Sequence, residues 1–229
     1  MSSRPEGAQS GIENAVEHAL AGLTPPGFVT GCRLIRAGDE QHLLPAENAS
    51  IATREPRARA ATGAGRRTAH ELLRRLGCAD PAVLRGPAGN PIWPAGIVGS
   101  IAHDDELAVA VAARTGALRS VGVDIEPAQP LPRDLRAIVA TPHDRLGDLD
   151  PDLGGRILFA AKEAAYKAAF ALDGRVLGFE DIAVDFSSGE AVTSTGWRLT
   201  VRFAISPRIL ALAYTAPKRL SAPRGRATA

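Results

Sequence analysis

The order of elements along this 229-residue chain predicts an α+β protein. Two observations predict it. Stretches with apolar residues at helical spacing are few and far apart. Stretches of strand composition come in runs, two in the middle and three at the end, and do not alternate one for one with helices. The coarse order is α-β-α-β-β-α-β-β-β.

Residues 1–11 are rich in Ser, Gly, Pro and Gln and read as a frayed end. Ile12, Ala15, Val16, Ala19 and Leu20 fall at i, i+3, i+4, i+7 and i+8, which predicts a short helix. Thr24-Pro25-Pro26-Gly27 stops it. Residues 28–35 have strand composition. Pro45-Ala46-Glu47-Asn48 can start a helix, whereas residues 54–65 are basic, Ala-rich and without period. Ala69, Leu72, Leu73 and Leu76 form one apolar stripe, Gly77 supplies its stop, and Arg66 and Arg67 stand at its entry. Residues 77–99 are a Gly/Pro-rich loop. Residues 106–113 and 120–126 read as strands joined through Thr115-Gly116-Ala117, which predicts an antiparallel hairpin. That hairpin brings His103 to the same end as Asp124 and Glu126. Residues 127–155 are loop with one helical turn, and a long helix covers 152–170. Residues 181–186, 197–204 and 208–215 are the last strands. Beyond Pro217 the tail carries Lys218, Arg219, Arg224 and Arg226, and reads as disordered and solvated.

Composition bounds the function. A hydrophobic fraction of 45% allows a sizeable core, but aromatics are only 4%, so Ala, Val, Leu and Ile must fill it. Basic and acidic residues nearly cancel, 27 against 25, and the pI of 8.8 reflects a net charge of only +2. Bulk charge therefore does not make a nucleic-acid binder, and the scarcity of aromatics argues against base stacking. Cys32 and Cys78 have neither disulfide-framework nor zinc-site spacing, so the reducing cytoplasm is the expected compartment. No apolar run is long enough for a membrane span, and no signal-peptide pattern is visible.

The chemistry concentrates in two stretches. The first is Gly122-Val123-Asp124-Ile125-Glu126-Pro127. On a strand, Val123 and Ile125 face one side and Asp124 and Glu126 the other. Neighbouring carboxylates on one face repel, and a divalent cation removes the conflict; two carboxylates plus phosphate oxygens suit Mg²⁺. The second is Phe159 to Lys167. On a helix it presents a third carboxylate, Glu163, and Lys167 one turn on. Either motif alone is usually a solvated surface feature; the two together are more specific. Of the 27 basic residues only Lys162, Lys167 and Lys218 are lysines, and two of these lie in this one helix. Where Arg is so favoured, a retained Lys points to the chemistry of a compact ammonium.

These stretches resemble the 4′-phosphopantetheinyl transferases, whose pattern is (I/V)-G-(I/V)-D-(I/V)-E followed by (F/W)-x-x-K-E-(A/S)-x-x-K. Upstream, Gly89-Asn90-Pro91-Ile92-Trp93-Pro94 and Gly99-Ser100-Ile101-Ala102-His103 resemble the version found in the enterobactin-synthetase-component-D branch. Two departures stand out: Ala102 occupies a usual Ser or Thr position, and Asn90 stands where some relatives have Lys or Arg. The resemblance implies two similar α+β halves related by a pseudo-twofold, with the site in the cleft between them. Residues 1–115 would be the nucleotide-binding half, 116–216 the metal and catalytic half, and 217–229 a tail. It implies Mg²⁺ on Asp124, Glu126 and Glu163, phosphate charge met by Lys162 and Lys167, and Glu163 or metal-bound solvent as the base. It places coenzyme A as co-substrate, with Arg59, Arg66, Arg85, Ser100 and His103 on the nucleotide side. The implied reaction moves the 4′-phosphopantetheine arm of coenzyme A to a serine of an apo acyl or peptidyl carrier domain and releases 3′,5′-ADP. The setting would be siderophore, nonribosomal peptide or polyketide biosynthesis, and the enzyme a cytoplasmic monomer. Two rival readings are a Mg²⁺-dependent nucleotide pyrophosphatase using the same carboxylates with water, and an Arg-rich nucleic-acid module. Trp93-Pro94 and Gly178-Phe179-Glu180-Asp181 read as structural.

Overall fold

The computed structural model describes residues 6–51, 55–116 and 118–215, with side chains from residue 11. The expected tail at 217–229 and the extreme N-terminus lie outside the described residues.

Helix α1 (Glu6–Leu23) begins inside the stretch expected to fray. Strand β1 (Phe28–Leu34) follows, then a 3₁₀ turn (Asp39–His42), α2 (Pro45–Ser50) and α3 (Pro56–Arg75). Helix α3 starts thirteen residues before its apolar stripe. Pro56 opens it, and the Glu55 side chain accepts from the amides of Arg57 and Ala58. Its first half is buried on several sides through Ala60, Ala61, Gly63, Ala64 and Gly65, so no one-sided period could show.

The expected loop at 77–99 contains a two-stranded ribbon, β2 (Leu84–Arg85) with β3 (Pro91–Ile92), and the start of β4 (Ile97–His103). Then come β5 (Leu107–Arg114), β6 (Val121–Glu126), α4 (Arg133–Val139) and α5 (Gly154–Asp173). The chain ends in β7 (Ile182–Asp185), β8 (Glu190–Thr193), β9 (Arg198–Ala204) and β10 (Ile209–Tyr214). The short strand β8 was not expected.

The predicted β5–β6 hairpin does not form. Strand β5 is the centre of a three-stranded sheet, β1-β5-β4, and both its edges are taken. Strand β6 is the edge of a five-stranded sheet, β6-β10-β9-β8-β7. The two sheets instead pack face to face. Val109 and Val111 of β5, Val123 and Ile125 of β6, and Leu210 and Leu212 of β10 share one core, with Val16 and Leu20 of α1 beside them. The opposite face of the first sheet, Ala110 and Ala112, packs on Ala69, Leu72 and Leu73 of α3. The opposite face of the second, Ala211 and Ala213, packs on the buried alanines of α5. The layers are thus helix, sheet, sheet, helix. A hydrogen bond crosses between the sheets where β4 lies against β6: Val123 N donates to Ser100 Oγ at 3.1 Å.

Among the described residues, no helix is long and apolar enough to cross a membrane.

Candidate active site

The site exists because α5 approaches β6 unusually closely. A Cβ on Gly122 would stand 2.0 Å from the Ala164 carbonyl oxygen, a clash no side chain could relieve. Ala160, Ala161, Ala164, Ala165, Ala168 and Ala169 are fully buried on the helix side. Small residues on both surfaces lower α5 onto the strand, and the polar edge of α5 then meets the polar face of β6.

Asp124 is the centre of this contact. It lies within β6, opposite Ala211 of β10, and is buried, not placed at a strand end. Its Oδ1 accepts from Lys167 Nζ at 2.6 Å, and the same ammonium donates to the Val123 carbonyl at 3.1 Å. Its Oδ2 is buried with no hydrogen-bond partner. Burial pushes the Asp124 carboxyl up, against the pull of Lys167. Glu126 is also pushed up, by burial first and by Asp124 second. Glu163 is pushed up by burial, with Lys167 opposing and Asp124 adding to the rise.

The structure therefore brings together Asp124, Glu126, Glu163 and Lys167. In the geometry seen, no three acidic, His or Cys side chains among the described residues converge to hold a metal. Two cations of the chain pair with two of the carboxylates: Lys167 takes Asp124, and Arg156 Nη1 takes Glu126 Oε2 at 2.7 Å. Even so, the donor set fits a hard divalent cation. It offers three oxygen-bearing groups, one with an orphaned oxygen, and all three disfavour their charged form without one.

Arg156 went unnoticed in the sequence. It also donates to the carbonyls of Gln129 and Pro130, and so fastens the chain leaving β6 to the first turns of α5. The signal was its spacing: it precedes Glu163 by seven residues, two turns along the same face.

Lys162 is not part of the site, which corrects the sequence reading. It is fully buried. Its Nζ donates to the carbonyls of Val139 and Phe179, each at 2.9 Å, and lies 2.8 Å from Asp144 Oδ2. Five residues place Lys162 and Lys167 about 140° apart around a helix, so both could not reach one cleft. Asp144 is otherwise spent on Thr141 and on the amide of Val184, so Lys162 pins the 139–144 segment to α5 and β7.

The proposed nucleotide-side residues fall in different places. Arg66 is buried on α3; its Nη2 donates to the Leu84 carbonyl at 3.4 Å, and its Nε is buried without a partner. Burial lowers its proton affinity and Arg85 adds to that, while Glu47 opposes. Arg85 is exposed on the β2–β3 ribbon. Arg59 is engaged with Asn48 Oδ1. Ser100 is buried, and its oxygen serves the bond to Val123, so it links the sheets. His103 is exposed at the far end of β4, with Nδ1 facing the Asp104 carbonyl at 3.3 Å. Ala102 faces the shared core, so the missing hydroxyl at this position is not a missing group in the cleft.

Two clefts flank the carboxylates. One, of about 640 Å³, is lined by Asn90, Trp93, Ser100, Tyr166, Lys167 and Phe170 among others. Trp93 lies over Gly99, where a Cβ would meet the indole at 2.5 Å, so the Trp93-Pro94 turn is both packing and cleft wall. The other, of about 790 Å³, is polar and includes His103, Glu126, Arg156 and Arg208. Arg208 bonds Asp104 Oδ2 at 2.9 Å and also Glu106, tying the β9–β10 turn to the β4–β5 turn across this cleft.

A helix–sheet–sheet–helix α+β body, with a carboxylate–lysine centre where a strand and a helix meet beside a cleft, defines the class. Residues 46–113 match the 4′-phosphopantetheinyl transferase N-terminal domain, and residues 120–212 match the 4′-phosphopantetheinyl transferase superfamily. The chain belongs to that superfamily. It is 37% identical over 175 residues to the 4′-phosphopantetheinyl transferase Npt of Nocardia iowensis, covering 75% of this chain and 78% of that protein. It is 36% identical over 180 residues to Svp of Streptomyces mobaraensis, covering 74% and 73%. Its 41% identity to PptT of Mycobacterium tuberculosis extends over 137 residues, 58% of each chain. This likeness supports enzymatic activity of the same type.

Proposed function

We propose that the chain transfers the 4′-phosphopantetheine arm of coenzyme A to a serine of an apo acyl or peptidyl carrier domain and releases 3′,5′-ADP. The observation that carries this reading is the meeting of Asp124, Glu126, Glu163 and Lys167 at the α5–β6 contact, beside a cleft of about 640 Å³. Asp124, Glu126 and Glu163 would hold Mg²⁺, which when bound offsets charge on the pyrophosphate and on the leaving phosphate.

The chain's own residues do the rest. Lys167, held by Asp124 and the Val123 carbonyl, keeps an ammonium at the mouth of the carboxylate centre, where pyrophosphate oxygens need positive charge. Glu163, raised by burial, suits a base for the serine hydroxyl. The serine oxygen forms a bond to the phosphorus that carries the pantetheine, the pyrophosphate bridge breaks, and 3′,5′-ADP departs with the electron pair. Ile92, Trp93, Tyr166 and Phe170 give the larger apolar wall along which a pantetheine arm fits. Arg66, Arg85 and His103 take the phosphates of the nucleotide, with Arg59 and Ser100 beside them.

In this reading residues 1–115 form the nucleotide half and 116–216 the catalytic half. Each half sets a 20-residue helix on an antiparallel sheet, α3 on one and α5 on the other, which supports a pseudo-twofold relation. The protein works as a cytoplasmic monomer on carriers of siderophore, nonribosomal peptide or polyketide assembly.

The test is to incubate the protein with coenzyme A, Mg²⁺ and an apo-carrier domain and to weigh the carrier by mass spectrometry. The expected result is a carrier heavier by one phosphopantetheine. An unchanged carrier with hydrolysed coenzyme A would instead identify a pyrophosphatase.

A further inference from the structure

In the N-terminal half, away from the carboxylates of β6 and α5, lies a second buried carboxylate. Glu47 of α2 has no exposed surface. Its Oε1 accepts from the Val83 amide and from His70 Nε2, both at 2.7 Å, and its Oε2 accepts from the Leu44 amide at 2.9 Å. His70 is itself buried on α3, one turn after Arg66. Ser50 donates its hydroxyl to the Glu47 carbonyl at 2.8 Å and accepts from the Arg85 amide at 3.1 Å.

Three successive residues of one segment are therefore held from one place. Val83 is tied through its amide to Glu47, Leu84 through its carbonyl to Arg66, and Arg85 through its amide to Ser50. A loop could be fixed by apolar packing alone, and a buried charge is a costly way to do it. What Glu47 adds is a negative charge near Arg66, against the repulsion of Arg85. Its field favours the charged form of Arg66, while Arg85 disfavours it.

We propose that Glu47, with His70 and Ser50, is a positioning cluster that sets the separation of Arg66 and Arg85 and so the affinity for the phosphorylated nucleotide end of the substrate, without touching it. This rests on the reading that those two arginines bind phosphates. Within the fold Arg66 is only partly answered: its Nη2 bonds the Leu84 carbonyl and its Nε is buried without a partner.

The test measures binding of 3′,5′-ADP by calorimetry, and kcat and KM for coenzyme A, in wild type, Glu47→Gln and Ser50→Ala. Each substitution is repeated in an Arg85→Ala background. Ser50→Ala removes two hydrogen bonds at a half-buried hydroxyl and no charge, so it keeps the inference testable if Glu47→Gln fails to fold. The expected result is 3′,5′-ADP binding weakened about tenfold by Glu47→Gln and about threefold by Ser50→Ala. KM should rise in parallel, kcat should stay near wild type, and the effects should largely vanish in the Arg85→Ala background. Full additivity with Arg85→Ala, or a loss confined to kcat or melting temperature, would overturn the inference. If Arg85→Ala itself weakens 3′,5′-ADP binding and the cluster variants do not, this inference alone fails. No binding of 3′,5′-ADP by the wild type would overturn both it and the nucleotide-site reading.

Discussion

Asp124 and Glu47 are both buried carboxylates, one on each side of the molecule, and their surroundings are opposite. Glu47 uses both oxygens on three donors, the amides of Leu44 and Val83 and the ring of His70. Burial would push it up, but those bonds outweigh burial and hold its carboxyl below the usual range. Asp124 has one oxygen on Lys167 and one on nothing, and it is pushed up. A buried charge that is fully answered within the fold is architecture. One left half-answered is where something from outside is expected to bind.

The two lysines of α5 repeat the contrast. Lys162 is fully buried and answered by Asp144 and two carbonyls, whereas Lys167 stands at the carboxylate centre with part of its side chain exposed.

The largest expected effect is at Asp124. Asp124→Ala should abolish measurable transfer while circular dichroism and melting show a folded protein. Turnover near wild type at ordinary Mg²⁺ would remove Asp124 from the site. Glu163→Gln comes next. If Glu163 is the base, a deficit of about 10²–10⁴ persists at saturating Mg²⁺. Complete rescue by Mg²⁺ would leave Glu163 as a ligand only.

The lysine pair should separate activity from stability. Lys162→Met strands Asp144 as an unpaired buried charge and should cost roughly 3–5 kcal/mol of stability, with kcat of the folded fraction within a few-fold of wild type. Lys167→Met also strips the buried Asp124 of its cation, so melting should fall too, but unlike Lys162→Met it should lower turnover of the folded fraction at least about tenfold, as expected for a lost charge-assisted contact at the site. Denaturant melts alongside steady-state rates check both, and a swap of the two turnover outcomes would reverse the assignment.

Smallest is a pH effect. Because the folded Glu47 carboxyl lies below its unfolded value, its contribution is present above the unfolded pKa and is lost as pH falls through the folded one. The groups facing it are His70, Arg66 and, through Ser50, the Arg85 backbone. Acid melts below the ordinary carboxylate range should be shallower for Glu47→Gln than for wild type. Equal slopes would place the acid sensitivity elsewhere.

Much of the site was legible because it is local. The period-2 reading put Asp124 and Glu126 on the face opposite Val123 and Ile125, and the packing agrees. The period of α5 put Glu163 and Lys167 together. What failed was non-local or masked by small residues. No spacing shows that β5 has both edges taken, so the hairpin was the natural reading. The first half of α3 buries Ala and Gly on several sides and shows no stripe. Lys162 was grouped with Lys167 by composition and by the resemblance, although helical geometry alone puts them on different faces. Glu47 could not be singled out, because beyond the local Leu44 its partners His70 and Val83 lie far along the chain.

The contrast between the two carboxylates is tested most directly by titrating Mg²⁺ into the coenzyme A-bound protein by calorimetry, in wild type, Asp124→Asn and Glu47→Gln. Wild type and Glu47→Gln should bind Mg²⁺ with the same affinity once saturated with coenzyme A, and Asp124→Asn should bind little or none. Equal Mg²⁺ binding by Asp124→Asn and wild type, or none by wild type, would contradict the assignment of the half-answered carboxylate as the cation site.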